Sequence, residues 1–210
     1  LLVDPHLAIG LASFYFFIGS LTRVLFFRNN INWKIVRKFI LISIAGAILG
    51  AIAIIPINSE IMLFVILLFS VFFFYKKFDK KKDKDSSLKH IGTYAIGGLS
   101  GFLQGAGLAG SDIRNQYLYS KGLSLAEVHG TTALIGASNF LIATIIRLYT
   151  HQLTIPNLLP ILYLTPLILI ATWIGKFSIG KINKELTNKL IIVIMVLIII
   201  SLILKIMKII

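Results

Sequence analysis

Long apolar runs separated by short basic segments are the feature that most constrains the fold of this chain. A helix needs about 20 consecutive apolar residues to cross the hydrocarbon core of a bilayer. Such runs recur along the 210 residues, of which 57% are hydrophobic. We therefore predict an all-α polytopic membrane protein with about seven hydrophobic segments surrounded by the lipid bilayer. The clearest spans are residues 7–27, 39–57, 59–75, 125–149, 154–175 and 190–209.

The net charge of +13 comes mostly from Lys and Arg beside these apolar runs. Basic residues in short loops set the orientation of a membrane protein, with the positive loops on the cytoplasmic side. The segment 76–90 is rich in Lys and is interpreted as a cytoplasmic linker. The positive charge is thus explained by the loops of a multi-pass protein of the cell (inner or plasma) membrane. We therefore predict no nucleic-acid partner. No cysteine is present, which excludes disulfides and thiolate metal sites.

The segment 97–133 does not have the pattern of a lipid-facing helix. It has six glycines between residues 97 and 110, followed by Ser111, Asp112 and Arg114. Each glycine inside a helix costs about 1 kcal/mol relative to alanine, and irregular backbone at membrane depth persists only within protein or beside a water-filled cavity. We interpret the segment as a broken helix, either crossing or re-entrant, of the kind that builds transporter substrate sites. Close helix packing through glycines spaced four residues apart is the open alternative.

An internal repeat is predicted from segments that match between two halves of the chain. Residues 6–13 align with residues 126–133, and Arg23 and Arg147 then fall near the ends of the two spans. Two halves in inverted orientation around a central site are a common transporter plan. The first half lacks a glycine-rich opening element, which we expect in a missing piece before residue 1. The predicted units are a first repeat at 1–75, the linker at 76–90 and a second repeat at 91–210.

Four short motifs occur in a duplicated order: AIGLAS at 8–13, INW at 31–33, GFLQGAGLAGS at 101–111 and VHGTT at 128–132. In this order they resemble the TauE/SafE family of membrane permeases, also described as sulfite exporters. The resemblance covers essentially the whole chain. It departs from the family at Ala109-Gly110-Ser111, where the family has three glycines, and in lacking the proline that follows. It implies transport of sulfite, small organosulfonates or carboxylates, with the hydroxyls of Thr131 and Thr132 opposite the glycine-rich loop.

Arg114 and Arg147 are the candidate residues for contact with an anion. A guanidinium offers planar, bidentate donors that suit sulfonate, sulfite or carboxylate groups, and an ionisable residue at membrane depth indicates function by default. Two alternatives stay open: Arg147 as an anchor at the membrane interface, and Arg114 as a partner of Asp112. Asp112 and His129 also suggest proton coupling, because a desolvated carboxyl or imidazole can titrate near neutral pH.

These observations predict a secondary transporter that moves a small anion by alternating access, and not an enzyme. No ATP-binding, metal-binding or cofactor motif occurs, so we expect a proton or sodium gradient to drive transport. Whether the protein forms a homo-oligomer stays open at this point. A non-transporting membrane subunit or scaffold, whose glycines serve helix packing, is the alternative function. The candidate substrate-binding residues combine backbone amides, hydroxyls and charged groups: Ser13, Gly107, Gly110, Ser111, Asp112, Arg114, Thr131, Thr132 and Arg147.

Overall fold

The computed structural model describes residues 4–78, 92–178 and 184–207. Within these ranges the chain forms eight α-helices, one short 3₁₀ helix (Arg28–Asn30) and no strand. The predicted basic linker at 76–90 lies mostly outside them. The helices are α1 (Pro5–Phe27), α2 (Trp33–Ala53), α3 (Ser59–Phe78), α4 (Thr93–Gly105), α5 (Gly110–Ser120), α6 (Leu125–Tyr149), α7 (Ile155–Ser178) and α8 (Lys184–Ile206).

Four of these helices, α1, α2, α6 and α7, are long and apolar enough to cross a membrane. Large apolar side chains such as Leu41, Tyr149 and Tyr163 are exposed on their outer faces. In a soluble protein so much exposed apolar surface would be a liability, whereas a bilayer covers it. The all-helical, multi-pass membrane fold predicted from the hydropathy pattern is thereby confirmed. The number of spans in the whole chain and the twofold repeat remain predictions.

Side-chain caps define where the helices begin. At the start of α6, Ser124 Oγ accepts from the amide of Glu127, and the Glu127 carboxylate accepts from the amide of Ser124, which is a capping box. At the start of α1, Asp4 accepts hydrogen bonds from two amides of the first turn. The second oxygen of the same carboxylate accepts from Ser59 Oγ at 3.0 Å. Asp4 therefore caps α1 and also ties it to the start of α3.

The glycine-rich segment forms a hairpin of two short helices, α4 and α5. With 13 residues, α4 is about 20 Å long, which is less than the roughly 30 Å of a hydrocarbon core. The turn between the helices uses Gly107 with a φ of +81°, a conformation that glycine adopts without strain. Thr93, the first residue of α4, is hydrogen-bonded through its hydroxyl to Tyr117 near the end of α5, at 2.7 Å. The chain thus returns to the side from which α4 started, which is the geometry that a re-entrant segment requires.

At the centre of the bundle, α1 and α6 pack against each other in antiparallel directions. Phe16 contacts Phe140 with ring centroids 5.4 Å apart, and Phe27 near the end of α1 lies 5.8 Å from His129 near the start of α6. These are the two helices that the sequence pairs as equivalents. Their opposite directions are those that inverted halves would have.

The backbones of α2 and α4 are in direct contact. On α2, an ideal Cβ at Gly46 or Gly50 would collide with backbone oxygens of α4. On α4, a Cβ at Gly101 or Gly105 would collide with backbone oxygens of α2. Small residues at such positions allow helices to approach closely where lipid gives no hydrophobic drive for association. These four glycines therefore serve helix packing and hold the hairpin against α2.

We predict that Gly101→Ala destabilises the protein by about 1–3 kcal/mol, because the new methyl group has to displace the backbone of α2. The matched control is Gly98→Ala on the same helix, whose Cβ would meet only a side-chain carbon of Ile42, at 3.6 Å. We expect this control to be neutral or up to about 1 kcal/mol more stable. Thermal unfolding of both variants in the same detergent measures the difference. Equal unfolding temperatures would show that the close α2–α4 contact is not needed.

Candidate functional site

Two arginines, Arg114 on α5 and Arg147 on α6, are fully buried, each with 0% of its surface exposed. Their hydrogen bonds go to neutral oxygen atoms. Neither guanidinium contacts a carboxylate within the described ranges. A buried charge is normally paired, because its removal from water is costly. Both groups are therefore centres of uncompensated positive charge inside the helix bundle.

Arg114 connects the two helices of the hairpin to α6. Its Nη1 donates to Gln104 Oε1 on α4 at 3.0 Å, and its Nη2 donates to the backbone oxygen of Thr132 at 3.4 Å. The Nε of Arg114 has no hydrogen-bond partner. The side chain is thus fixed in place while one of its donors stays available for a ligand.

A buried network of neutral side chains surrounds Arg114. Asn139 donates from Nδ2 both to Ser43 Oγ at 2.8 Å and to Gln104 Oε1 at 2.7 Å. Gln104 Oε1 therefore accepts hydrogen bonds from both Arg114 and Asn139. The Nε2 of Gln104 takes no part in these two bonds. The network joins α2, α4, α5 and α6. From the sequence alone, Gln104 and Asn139 are predicted to make polar contacts between helices. Ser43 is recognisable there only as a polar residue in an apolar run.

Arg147 lies at the tip of the hairpin. Its Nη1 donates to Ser13 Oγ on α1 at 2.9 Å, and its Nη2 donates to the backbone oxygen of Gly105 at 2.6 Å. Gly105 is the last residue of α4, where the helix dipole is negative and favours a cation. Arg147 also keeps its Nε without a partner. It is therefore a tether for the hairpin tip and not an anchor at the membrane interface.

The two adjacent threonines of α6 take part in different contacts. Thr132 Oγ1 donates to Asn115 Oδ1 at 2.7 Å and lies next to Arg114. Thr131 Oγ1 accepts from the backbone amide of Asn32, at the start of α2, at 3.0 Å. Thr132 therefore belongs to the surroundings of Arg114. Thr131 holds the connection between α1 and α2 and lies apart from the hairpin tip.

The remaining candidate residues lie around the turn between α4 and α5. Gly107 is exposed and Gly110 is packed so closely that a Cβ would collide with the backbone oxygen of Ser100. Ser111 is half-buried, whereas Asp112 is exposed on the surface of α5. Because α5 is helical here, the exposed Asp112 and the buried Arg114 lie on different sides of the helix. The structure thus brings Arg114 together with Thr132, and Arg147 together with Ser13.

No group of three or more His, Cys, Asp or Glu in the described part of the chain could hold a metal ion.

Fold and site together define a multi-pass helical membrane protein with buried cationic groups at a broken helical hairpin. The sequence model of the family "Sulfite exporter TauE/SafE" matches residues 1–202. The chain belongs to this family of membrane transporters, as the duplicated motifs predicted. No curated protein and no solved structure matches the chain.

We predict that Asn139→Ala lowers the free energy of unfolding by about 1 kcal/mol or more, because it removes the buried link between Ser43 and Gln104. Ser138→Ala is the matched control on the same helix, since Ser138 Oγ donates only to its own helix, to Leu134 at 3.2 Å. Unfolding temperatures in detergent compare the two variants. A loss in the control as large as in Asn139→Ala would argue against a stabilising network.

Proposed function

We propose that this protein is a secondary transporter that moves a small anion, a sulfur oxyanion, an organosulfonate or a carboxylate, across the cell membrane by alternating access. The observation that carries the proposal is the pair of fully buried guanidinium groups, Arg114 and Arg147, without a carboxylate partner in the described ranges. Membership of the TauE/SafE family supports the same class of function.

The energetic argument starts from the cost of the two charges. Keeping an unpaired guanidinium inside a membrane protein costs several kcal/mol, so such residues mark functional sites. Neutral oxygens of Gln104, Ser13 and the backbone offset part of this cost. A carboxylate would offset more of it, but it would also neutralise the site. An anionic substrate supplies the missing charge while it is bound and takes it away when it leaves.

The hairpin gives the substrate site its shape. Each of its helices is too short to cross a bilayer, and its tip is held in the bundle by Arg147. Broken helices of this kind direct helix ends toward a substrate in many transporters. In this proposal the hairpin moves relative to α1 and α6 to open the site to one side and then the other, driven by a proton or sodium gradient.

The test is uptake of radiolabelled sulfite, a taurine-like sulfonate and a small carboxylate by proteoliposomes, under either gradient. We predict saturable uptake of at least one anion by the wild type. Arg114→Ala and Arg147→Ala should each reduce it about tenfold or more, because each loses charge-assisted hydrogen bonds. Arg37→Ala is the matched control, since Arg37 is exposed on α2 outside the buried network.

Two results would contradict the proposal. No uptake of any of the three anions by folded, monodisperse wild type would favour the scaffold function, in which the glycines of α2 and α4 serve packing alone. Undiminished uptake by both arginine variants would separate transport from the buried charges.

A further inference from the structure

An apolar cavity lies between α3 and the tip of the hairpin. It has a volume of about 230 Å³ and is partly enclosed, with walls from α1, α2, α3 and α4. Its inner wall consists of residues that are at most 8% exposed: Ile9, Ile54, Met62, Leu103 and Ala106. The cavity therefore reaches into the core of the bundle.

The walls of this cavity offer nothing to a polar occupant. Every lining residue in the described part of the chain has an apolar side chain. An ordered water needs about two to four polar partners, so a cavity of this kind stays dry. An engineered apolar cavity of about 150 Å³ in another protein binds benzene in place of water. The larger cavity found in this chain is therefore a site for hydrocarbon.

The mouth of the cavity opens on the surface that faces the bilayer. Two of the lining residues, Ala53 at the end of α2 and Phe102 on α4, are exposed. The neighbouring turns of α2, α3 and α4 carry further exposed apolar side chains: Leu49, Leu68 and Leu99. The cavity is thus continuous with the surface that the bilayer covers. The hydrocarbon chains of lipids are therefore the molecules present at its mouth.

The wall on α3 gives the cavity an elongated shape. Met62, Val65, Ile66 and Phe69 line it with the spacing of one helix face. From the first to the last of these residues, the helix rises by about 10 Å. A hydrocarbon chain can lie along such a face. A helix with its side chains is about 10–12 Å across, which is too wide for a cavity of this length and a volume of about 230 Å³.

We propose that this cavity binds one hydrocarbon chain of a membrane lipid, which inserts between α3 and the tip of the hairpin. The inference rests on the membrane fold and goes beyond the proposed transport function, because it requires neither of the buried arginines. The lipid chain would contact Val65 and Ile66 on α3, and Ala106 and Leu108 beside the hairpin turn. It would thereby fill the space between these elements and stabilise the position of the hairpin tip.

A phosphatidylcholine that carries a photoactivatable diazirine in one hydrocarbon chain tests the insertion directly. The full-length protein is reconstituted with this lipid and irradiated, and the labelled residues are mapped by mass spectrometry. We expect label on Met62 or Leu103, which are at most 8% exposed and line the inner wall of the cavity. Label confined to exposed side chains such as Leu41 and Tyr163 would show that the lipid chains stay on the outer surface, and would overturn the proposal.

Val65→Phe is the decisive variant, because the larger side chain fills the cavity itself. In lipid-free detergent its unfolding temperature should equal or exceed that of the wild type. Added phosphatidylcholine should raise the unfolding temperature of the wild type by about 2–4 °C and leave that of the variant unchanged. Labelling of Met62 should fall about tenfold or more. Leu68→Phe is the matched control on the same helix, since Leu68 is 53% exposed and lies outside the lining. It should keep both lipid effects.

Ala53→Phe is a second variant that closes the cavity at its exposed mouth and leaves the buried wall unchanged. We expect the same loss of labelling and of stabilisation by lipid as in Val65→Phe. This variant carries the test if phenylalanine at position 65 prevents folding.

The outcomes separate the lipid site from the transport proposal. Wild-type labelling and stabilisation by lipid in both phenylalanine variants would overturn the lipid site, whatever the result of anion uptake. A dimer of the wild type that dissociates in Val65→Phe, without label inside the cavity, would identify a second copy of the chain as the occupant and would also overturn it. Label inside the cavity, without uptake of any anion by the same proteoliposomes, would support the lipid site and overturn transport.

Discussion

The direct contact between the backbones of α2 and α4 is the constraint on which the rest of the structure depends. Four glycines remove the side chains that would otherwise separate the two helices. Because α4 lies this close, Gln104 reaches the buried network of Ser43 and Asn139. Arg114 in turn is positioned by Gln104. The close packing of the glycines therefore also brings these buried polar groups together, as the proposed site requires.

The two buried arginines are hydrogen-bonded to electrically neutral groups, which is a second characteristic of the structure. Arg147 is bonded to a hydroxyl and to the last carbonyl of α4, and Arg114 to an amide and a carbonyl. Hydrogen bonds to neutral oxygens satisfy the geometry of a guanidinium but leave its charge in place. Two positive charges are thus held inside the bundle by hydrogen bonds to neutral groups, which is what the proposed anion site requires.

The sequence was sufficient for the membrane fold and the family, but only partly for the site. The start and end of α6 agree with the hydropathy pattern, because its cap and its apolar run coincide. The start of α2 lies before the predicted residue 39, since basic residues occupy exposed positions in its first turns. Thr131 and Thr132 seemed equivalent in sequence, yet neighbours on a helix are about 100° apart and contact different elements. Ser43 gave only a weak sequence signal, because its partner Asn139 and the next residue of the network, Gln104, lie on two other helices.

The returning hairpin also determines the direction of every helix that follows it. In the topology predicted from the hydropathy pattern, α1, α2 and α3 each cross the membrane and together reverse the path of the chain three times. A hairpin that ends on the side where it began adds two reversals of direction. The helix that follows it therefore runs in the same direction as it would without the hairpin. Consequently α6 runs opposite to α1, as their contacts show. Had the glycine-rich segment been one continuous helix, α6 would run parallel to α1, and Arg147 would lie at the opposite end of the bundle from Ser13.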